Sequence, residues 1–242
     1  MSAGFYTSIA PYYDEIFPLP KPMIEFVHRR TNTSVNVLDV GCATGQLAAV
    51  LAPKSKSVFA LDHDEEMIAN AQQRLGRMAN VSVRKADMLN ISDEFGFKKF
   101  ELVTCVGNTL VHLPDEKSIA EFIKQAYGLL QFGGIFIIQI LNYQHIVENS
   151  LTQLPLIDND RVRFVREYDF LENGYLRFNT KLHIKQSEKV ISNSSILLCL
   201  PPKRLYQILR RAGFYHIYPY ESWSEDRVSN NALPLIVEAI KT

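Results

Sequence analysis

Three cysteines in 242 residues, Cys42, Cys105 and Cys199, are too few and too scattered for a disulfide framework. They also lack metal-ligand spacing, and the six histidines gather with no Asp or Glu at ligand spacing, so no metal is expected. Neither sign of charge is in excess. Lys+Arg and Asp+Glu stand at 26 each, so bulk charge asks for no polyanionic partner and no nucleic acid is expected. The longest apolar stretch, residues 135–141, is far too short for a bilayer. The first residues, Met-Ser-Ala-Gly-Phe-Tyr, lack the basic and apolar regions of a signal peptide. Repeats and low-complexity segments are absent. The expectation is a cytoplasmic protein, off the membrane, monomeric or homodimeric. With 47% hydrophobic residues the chain can bury a full core, and its length suits one α/β domain over 1–242.

What is present is organised around residues 35–48. Val35, Val37, Leu38 and Val40 read as a buried strand that runs into Gly41-Cys42-Ala43-Thr44-Gly45. Leu47, Ala48, Val50 and Leu51 then fall at helical spacing. Strand, glycine loop and helix together aim backbone N–H groups at a ligand. The dinucleotide fingerprint Gly-x-Gly-x-x-Gly is not met: Ala43 takes its second glycine and Gln46 its third. That argues against a nicotinamide-dependent oxidoreductase. A carboxylate at Asp39 would repel a pyrophosphate but suits a cationic ligand.

The acidic residue two positions before Gly-x-Gly/Ala-x-Gly resembles the first motif of the class I S-adenosylmethionine-dependent methyltransferases. Asp39, Gly41, Ala43 and Gly45 occupy its positions. The resemblance implies a Rossmann-like seven-stranded sheet of order 3-2-1-4-5-7-6 with strand 7 antiparallel. It implies S-adenosyl-L-methionine as cofactor, with Cys42 in the same loop.

Further matches follow in order. Phe5 to Phe17 is dense in aromatics and resembles a family segment that folds over the cofactor and substrate. Tyr6 and Tyr13 are its candidates, Tyr6 for substrate and Tyr13 for catalysis, since electron-rich rings suit a sulfonium or a methylated amine. A packed leading helix is the plainer alternative. The second strand, Val58 to Leu61, ends in Asp62, placed to accept ribose hydroxyls. Asp64 is a plausible N-cap for the helix bearing Met67. His63 resembles the residue beside adenine. After the third strand, Asp87 and Met88 resemble the pair that bonds and covers the adenine; a capping role for Asp87 is the alternative.

The fourth strand ends at Cys105 and Val106, both expected near the cofactor. Gly107-Asn108-Thr109-x-x-His112-Leu113 then resembles the corresponding segment of glycine N-methyltransferase and its small-molecule relatives. Asn108 would bind cofactor, and His112 would orient substrate or act as base. The Asn/Asp-Pro-Pro-Tyr/Phe tetrad of nucleobase amino methyltransferases is absent. A strong amphipathic helix follows Pro114-Asp115, Gly133-Gly134 ends it, and the strand 135–141 leads to Asn142 and Tyr143, read as substrate contacts.

Residues 145–200 depart from a minimal fold. Strand-like segments at 161–170, 175–185 and 190–200 suggest a small antiparallel β insertion after strand 5, serving as a substrate lid or a dimerisation ribbon. Arg163, Arg166 or Arg177 would then meet a substrate carboxylate, with Arg163 preferred. Trp223, in a loop near the end, completes the substrate set. The reaction implied is methyl transfer to a small-molecule acceptor, mildly preferring nitrogen. A protein or RNA acceptor, or a non-catalytic cofactor-binding module, is the alternative.

Overall fold

The computed structural model describes residues 5–229 and 231–242. Residues 1–4, part of the stretch read as lacking a leader, lie outside the described residues. Two short helices, α1 (Phe5–Ile9) and α2 (Tyr13–Ile16), precede α3 (Lys21–His28). An alternating series then builds the main sheet: β1 (Asn36–Val40), α4 (Gln46–Leu51), β2 (Ser57–Asp62), α5 (Glu65–Leu75), β3 (Val81–Lys85), α6 (Ile91–Phe95), β4 (Phe100–Cys105), α7 (Glu116–Leu129) and β5 (Leu130–Leu141). Next come α8 (Tyr143–Glu148), β6 (Ile157–Asp158), β7 (Val162–Phe170), β8 (Tyr175–Ile184) and β9 (Lys189–Leu198). The chain ends with α9 (Pro202–Ala212), β10 (His216–Tyr220) and β11 (Pro234–Ile240).

The seven-stranded sheet runs β10-β11-β5-β4-β1-β2-β3. Counted along this sheet alone, that is the expected order 3-2-1-4-5-7-6, and its seventh strand, β11, pairs antiparallel with β5 over Pro234–Ile240. β1, β2, β3, β4 and β5 are parallel. Helices cover both faces, so the central strands are apolar throughout: Val37, Leu38 and Val40 are buried. The switch in chain direction falls between β1 and β4, the crevice where α/β sheets hold ligands.

The helices begin and end as their sequences dictate. The Asp64 carboxylate accepts the Met67 N–H at 3.1 Å and caps α5. Asp115 does the same for α7 through the Ser118 N–H at 2.7 Å. Gly213, at φ +112°, ends α9, where a Cβ would strike the Tyr127 ring at 2.7 Å.

The double glycine departs from expectation. Gly133 and Gly134 do not stop α7, which ends at Leu129; they lie inside an early, bulged start of β5. The Gly133 N–H donates to Lys241 O at 2.8 Å, and the Lys241 N–H returns to Gly134 O at 2.9 Å. A Cβ on Gly134 would stand 2.9 Å from Gln131 O, so the bulge itself excludes side chains there. Helix α8 has only six residues, too few to show a period in the sequence.

The insertion is a separate four-stranded antiparallel sheet, β6-β7-β8-β9. Val162, Phe164, Leu182 and Ile184 pack one face of it onto Ile9, Ile16 and Met67. The N-terminal segment is therefore sandwiched between the two sheets. Asn193 Nδ2 donates to Ser8 Oγ at 2.8 Å, Asn159 Nδ2 donates to Glu15 O at 3.2 Å, and Arg161 pairs with Glu15 at 2.6 Å. Among the described residues, no helix is long and apolar enough to cross a membrane.

Candidate active site

Two clefts open at the carboxyl ends of the parallel strands, and they share Tyr13, Gly41, Ala43 and Gly107. The first lies over the ends of β2 and β3. The glycine loop forms its floor. The Gly41 and Cys42 N–H groups donate to Leu61 O at 2.8 and 2.9 Å, which folds the loop back over the end of β2. Gly41 (φ +73°) and Gly45 (φ +77°) adopt backbone that L side chains avoid. A Cβ on Gly41 would come within 2.4 Å of the Thr109 methyl, and one on Gly45 within 2.7 Å of Leu75. Gly41→Ala is therefore expected to cost about 2–4 kcal/mol from strain and overpacking together. At Gly107 (φ +75°) nothing lies within 4 Å of a built Cβ, so Gly107→Ala is expected to cost only about 1 kcal/mol. Thermal melts of the two variants check the contrast.

Asp62, at the end of β2, is aimed by the backbone. Its Oδ2 accepts the Ala43 N–H at 2.9 Å and its Oδ1 accepts the Asp64 N–H at 3.0 Å. The carboxylate keeps lone pairs free on the cleft side, which suits a vicinal diol. His63 Nδ1 stands 3.6 Å from Asp62 Oδ1, and that contact raises the imidazole pKa above its ordinary value. Met67, Met88 and Asp87 complete this end. Asp87 both lines the cleft and accepts the Leu89 N–H at 2.9 Å, so the capping and site roles coexist in one carboxylate.

Tyr6 and His112 close the roof. The Tyr6 hydroxyl lies 2.8 Å from His112 Nε2, with the rings edge-to-face at 5.4 Å. Burial lowers the His112 pKa to about 4, so the ring is neutral at physiological pH. Burial likewise pushes both Tyr6 and Tyr13 up, and each stays a phenol.

The second cleft opens to solvent between the glycine loop, α3 and the loop bearing Trp223. Its deep charge is Asp39, only 1% exposed. Asp39 Oδ1 accepts the Thr104 hydroxyl at 2.7 Å, whereas the buried Oδ2 has no partner. Burial raises this carboxyl to about 7, opposed by the Thr104 bond and assisted by the nearby Asp62 charge. A buried, unpartnered carboxylate oxygen beside an open cleft calls for a cation or a donor.

Residues 37–134 match the family described as "Methyltransferase domain". The mouse glycine N-methyltransferase is 30% identical over 125 residues, 47% of this chain and 43% of that protein. The ubiquinone biosynthesis O-methyltransferase of Pseudomonas syringae pv. tomato is 28% identical over 153 residues, 59% of this chain and 64% of that protein. The matched stretch thus spans less than two thirds of either relative. An S-adenosylmethionine-dependent methyltransferase structure from Clostridium acetobutylicum superposes over 98% of both chains with a TM-score of 0.81 at 20% identity, a likeness of fold.

Residues 37–134 thus resemble a methyltransferase domain, and the chain as a whole has the fold of an S-adenosylmethionine-dependent methyltransferase.

The residues of the site fit S-adenosylmethionine as a cofactor. Asp62 offers free acceptors for two hydroxyls, and Asp39, which lines the second cleft, has a buried oxygen without a partner. Gly41, Ala43, Asp62, His63, Met67, Asp87 and Met88 line the first cleft with Tyr6, Tyr13 and His112. Asp39, Cys42, Val106 and Trp223 line the second. Gly45 acts from beneath, through its close approach to α5.

Other candidates engage the chain itself or lie outside the lining of the two clefts. Asn108 Oδ1 accepts the Leu141 N–H at 3.0 Å and its Nδ2 donates to the Tyr143 hydroxyl at 2.9 Å, so its amide pins the loop to β5. Tyr143 is fully buried behind it. Asn142, 2% exposed, caps α8 through the His145 N–H at 3.2 Å. Cys105 is sealed inside the core, its thiol pushed up by burial. Arg163 is exposed on the side of β7 opposite Val162 and Phe164, away from both clefts. Arg166 donates to Pro155 O at 2.6 Å, and Arg177 is exposed beside Asp169 at 3.9 Å.

Residues not singled out also line the clefts. Thr109 lines the first, with its hydroxyl donating to Val106 O at 2.7 Å. Gln139 and Phe17 line the second. Gln139 was visible as the one polar residue inside the apolar run 135–141.

Proposed function

We propose that this protein transfers the methyl group of S-adenosylmethionine to a small-molecule acceptor, with nitrogen preferred over oxygen. The observation that carries the reading is the pair of communicating clefts, with Asp62 aimed into one and the orphan Asp39 oxygen at the other. The cofactor, when bound, supplies an electrophilic methyl on a sulfonium. Asp62 would hold the ribose hydroxyls, Asp87 and Met88 the adenine, and Asp39 the ammonium of the amino acid end.

The chain's own contribution is placement and exclusion of water. Tyr6, on α1, and Tyr13, on α2, cover the clefts, and the insertion holds those helices down. His112, neutral and desolvated, is a weak base; its Nε2 instead fixes the Tyr6 hydroxyl in the roof. A neutral amine needs no strong base to attack, which agrees with a site lacking one. The match of Gly107-Asn108-Thr109-x-x-His112-Leu113 to the glycine N-methyltransferase segment supports nitrogen, and the names of both relatives support a small acceptor.

The test is transfer of a tritium-labelled methyl from the cofactor to a panel of amines and of matched alcohols. Label on amines in excess of alcohols is the expected result. Label on alcohols alone would overturn the nitrogen preference. Label on neither, with cofactor bound, would favour a binding module.

A further inference from the structure

The second cleft has walls of a distinctive kind. Phe17, Leu19, Met23, Val106, Leu141 and Trp223 supply apolar and aromatic surface. Phe17 and Tyr13 pack with ring centroids 5.2 Å apart along one wall. Trp223 forms another, set edge-to-face on Phe26 at 5.3 Å. Among the described residues lining this cleft there is no lysine, arginine or histidine; its one buried charge is Asp39. Basic residues around its lining are committed elsewhere. Arg74 donates to the Thr44 carbonyl at 2.6 Å and pairs with Asp14. Arg30 lies 3.5 Å over the Phe26 ring and pairs with Glu238 and Glu225. Arg29 pairs with Glu225 at 2.8 Å. These pairs tie down the loop that carries Trp223, so the wall is held from outside while the interior receives no positive charge.

The cleft runs from Asp39 out to Trp223 and Pro234 and joins the first cleft at Tyr13, Gly41, Ala43 and Gly107. An acceptor seated there meets rings and aliphatic side chains. A carboxylate on the acceptor, added to the cofactor's own, would lose its water without gaining a cation and would face Asp39. An aryl or alkyl amine gains apolar burial, and its ammonium form is compatible with aromatic faces.

Resting on the methyltransferase reading, we propose that the acceptor is an amine carried on an aromatic or bulky apolar body without a carboxylate, with Trp223 as the specificity-determining wall. A small amino acid such as glycine is excluded by the same chemistry, even though the chain resembles glycine N-methyltransferase.

The protein contains one tryptophan, so its emission reports on this wall alone. The experiment loads the full chain with S-adenosylhomocysteine, confirms that binding by calorimetry, and titrates 2-phenylethylamine, phenylalanine and glycine while recording Trp223 emission. 2-Phenylethylamine and phenylalanine differ by one carboxylate. The expected result is a saturable shift with 2-phenylethylamine, binding about ten-fold or more weaker for phenylalanine, and none for glycine. In equilibrium dialysis, Trp223→Ala is expected to weaken 2-phenylethylamine about five-fold or more while S-adenosylhomocysteine binds within about two-fold of wild type. Phenylalanine or glycine binding as tightly as 2-phenylethylamine would overturn the proposal with the cofactor reading intact. So would the lack of any response to 2-phenylethylamine in protein that holds S-adenosylhomocysteine. Failure of S-adenosylhomocysteine itself to bind would remove the cofactor reading, and this proposal with it.

Discussion

Asp62→Ala is expected to weaken S-adenosylhomocysteine about 100-fold or more. The carboxylate would accept two ribose hydroxyls, and hydrogen bonds to a charged group contribute about 1.5–3 kcal/mol each. Losing about 3 kcal/mol corresponds to roughly two decades in affinity. The same side chain accepts the Ala43 and Asp64 N–H groups, so the variant also loosens the glycine loop. Asp62→Asn separates the two effects. Its amide oxygen still accepts one N–H, but its NH₂ cannot accept from a hydroxyl or from the second N–H. Intermediate weakening by Asn, read by calorimetry, is the expected pattern. Unchanged affinity in both variants would place the ribose elsewhere.

Asp39→Asn is expected to stabilise the cofactor-free protein at pH 8 and weaken cofactor binding there. Burial raises the Asp39 carboxyl from 3.8 to about 7. A carboxyl with a folded value above its unfolded value favours folding fully only below the unfolded value. Its stability is then lost as pH rises through 7. A displacement from 3.8 to about 7 is worth at most roughly 4 kcal/mol, and about 2 kcal/mol once the site relaxes toward water. Asparagine keeps an acceptor for the Thr104 hydroxyl and carries no charge to bury. The melting temperature of Asp39→Asn should exceed that of wild type by about 4–8 °C at pH 8, and the gap should close toward pH 4. The variant should also bind S-adenosylhomocysteine more weakly, because the ammonium loses its counter-ion. A variant less stable than wild type at pH 8 would show that Asp39 is a structural acid and not a site held open for a cation.

Much of this arrangement is legible in the residues, because local rules act there undisturbed. The run from Val35 through Gly45 specifies strand and loop by itself, and Asp62 and Asp87 follow as strand-end acids in register with it. The alternation in 161–170 and 175–185 shows a sheet with one packed face, which β7 and β8 provide. The same alternation already separates Arg163 from Val162 and Phe164, but choosing the inner face needs the position of Ile9, Ile16 and Met67, which are distant in sequence. Asn108, Asn142 and Tyr143 show the other limit. A polar residue at a strand's carboxyl end serves the ligand or satisfies the chain, and only the partners decide. Here Asn108 meets the Leu141 N–H and the Tyr143 hydroxyl. The second cleft was illegible for the same reason: Phe17, Gln139 and Trp223 come from three distant segments and converge only in the fold.

The central claim is that the clefts at the carboxyl ends of β1, β2 and β4 are built for S-adenosylmethionine. Calorimetric titration of the wild-type chain with S-adenosylhomocysteine, beside an identical titration with NAD, tests it most directly. The account predicts one site per chain with a Kd on the order of micromolar for S-adenosylhomocysteine and no measurable heat with NAD. Binding of NAD without binding of S-adenosylhomocysteine would contradict it and make the glycine loop a dinucleotide site despite Gln46.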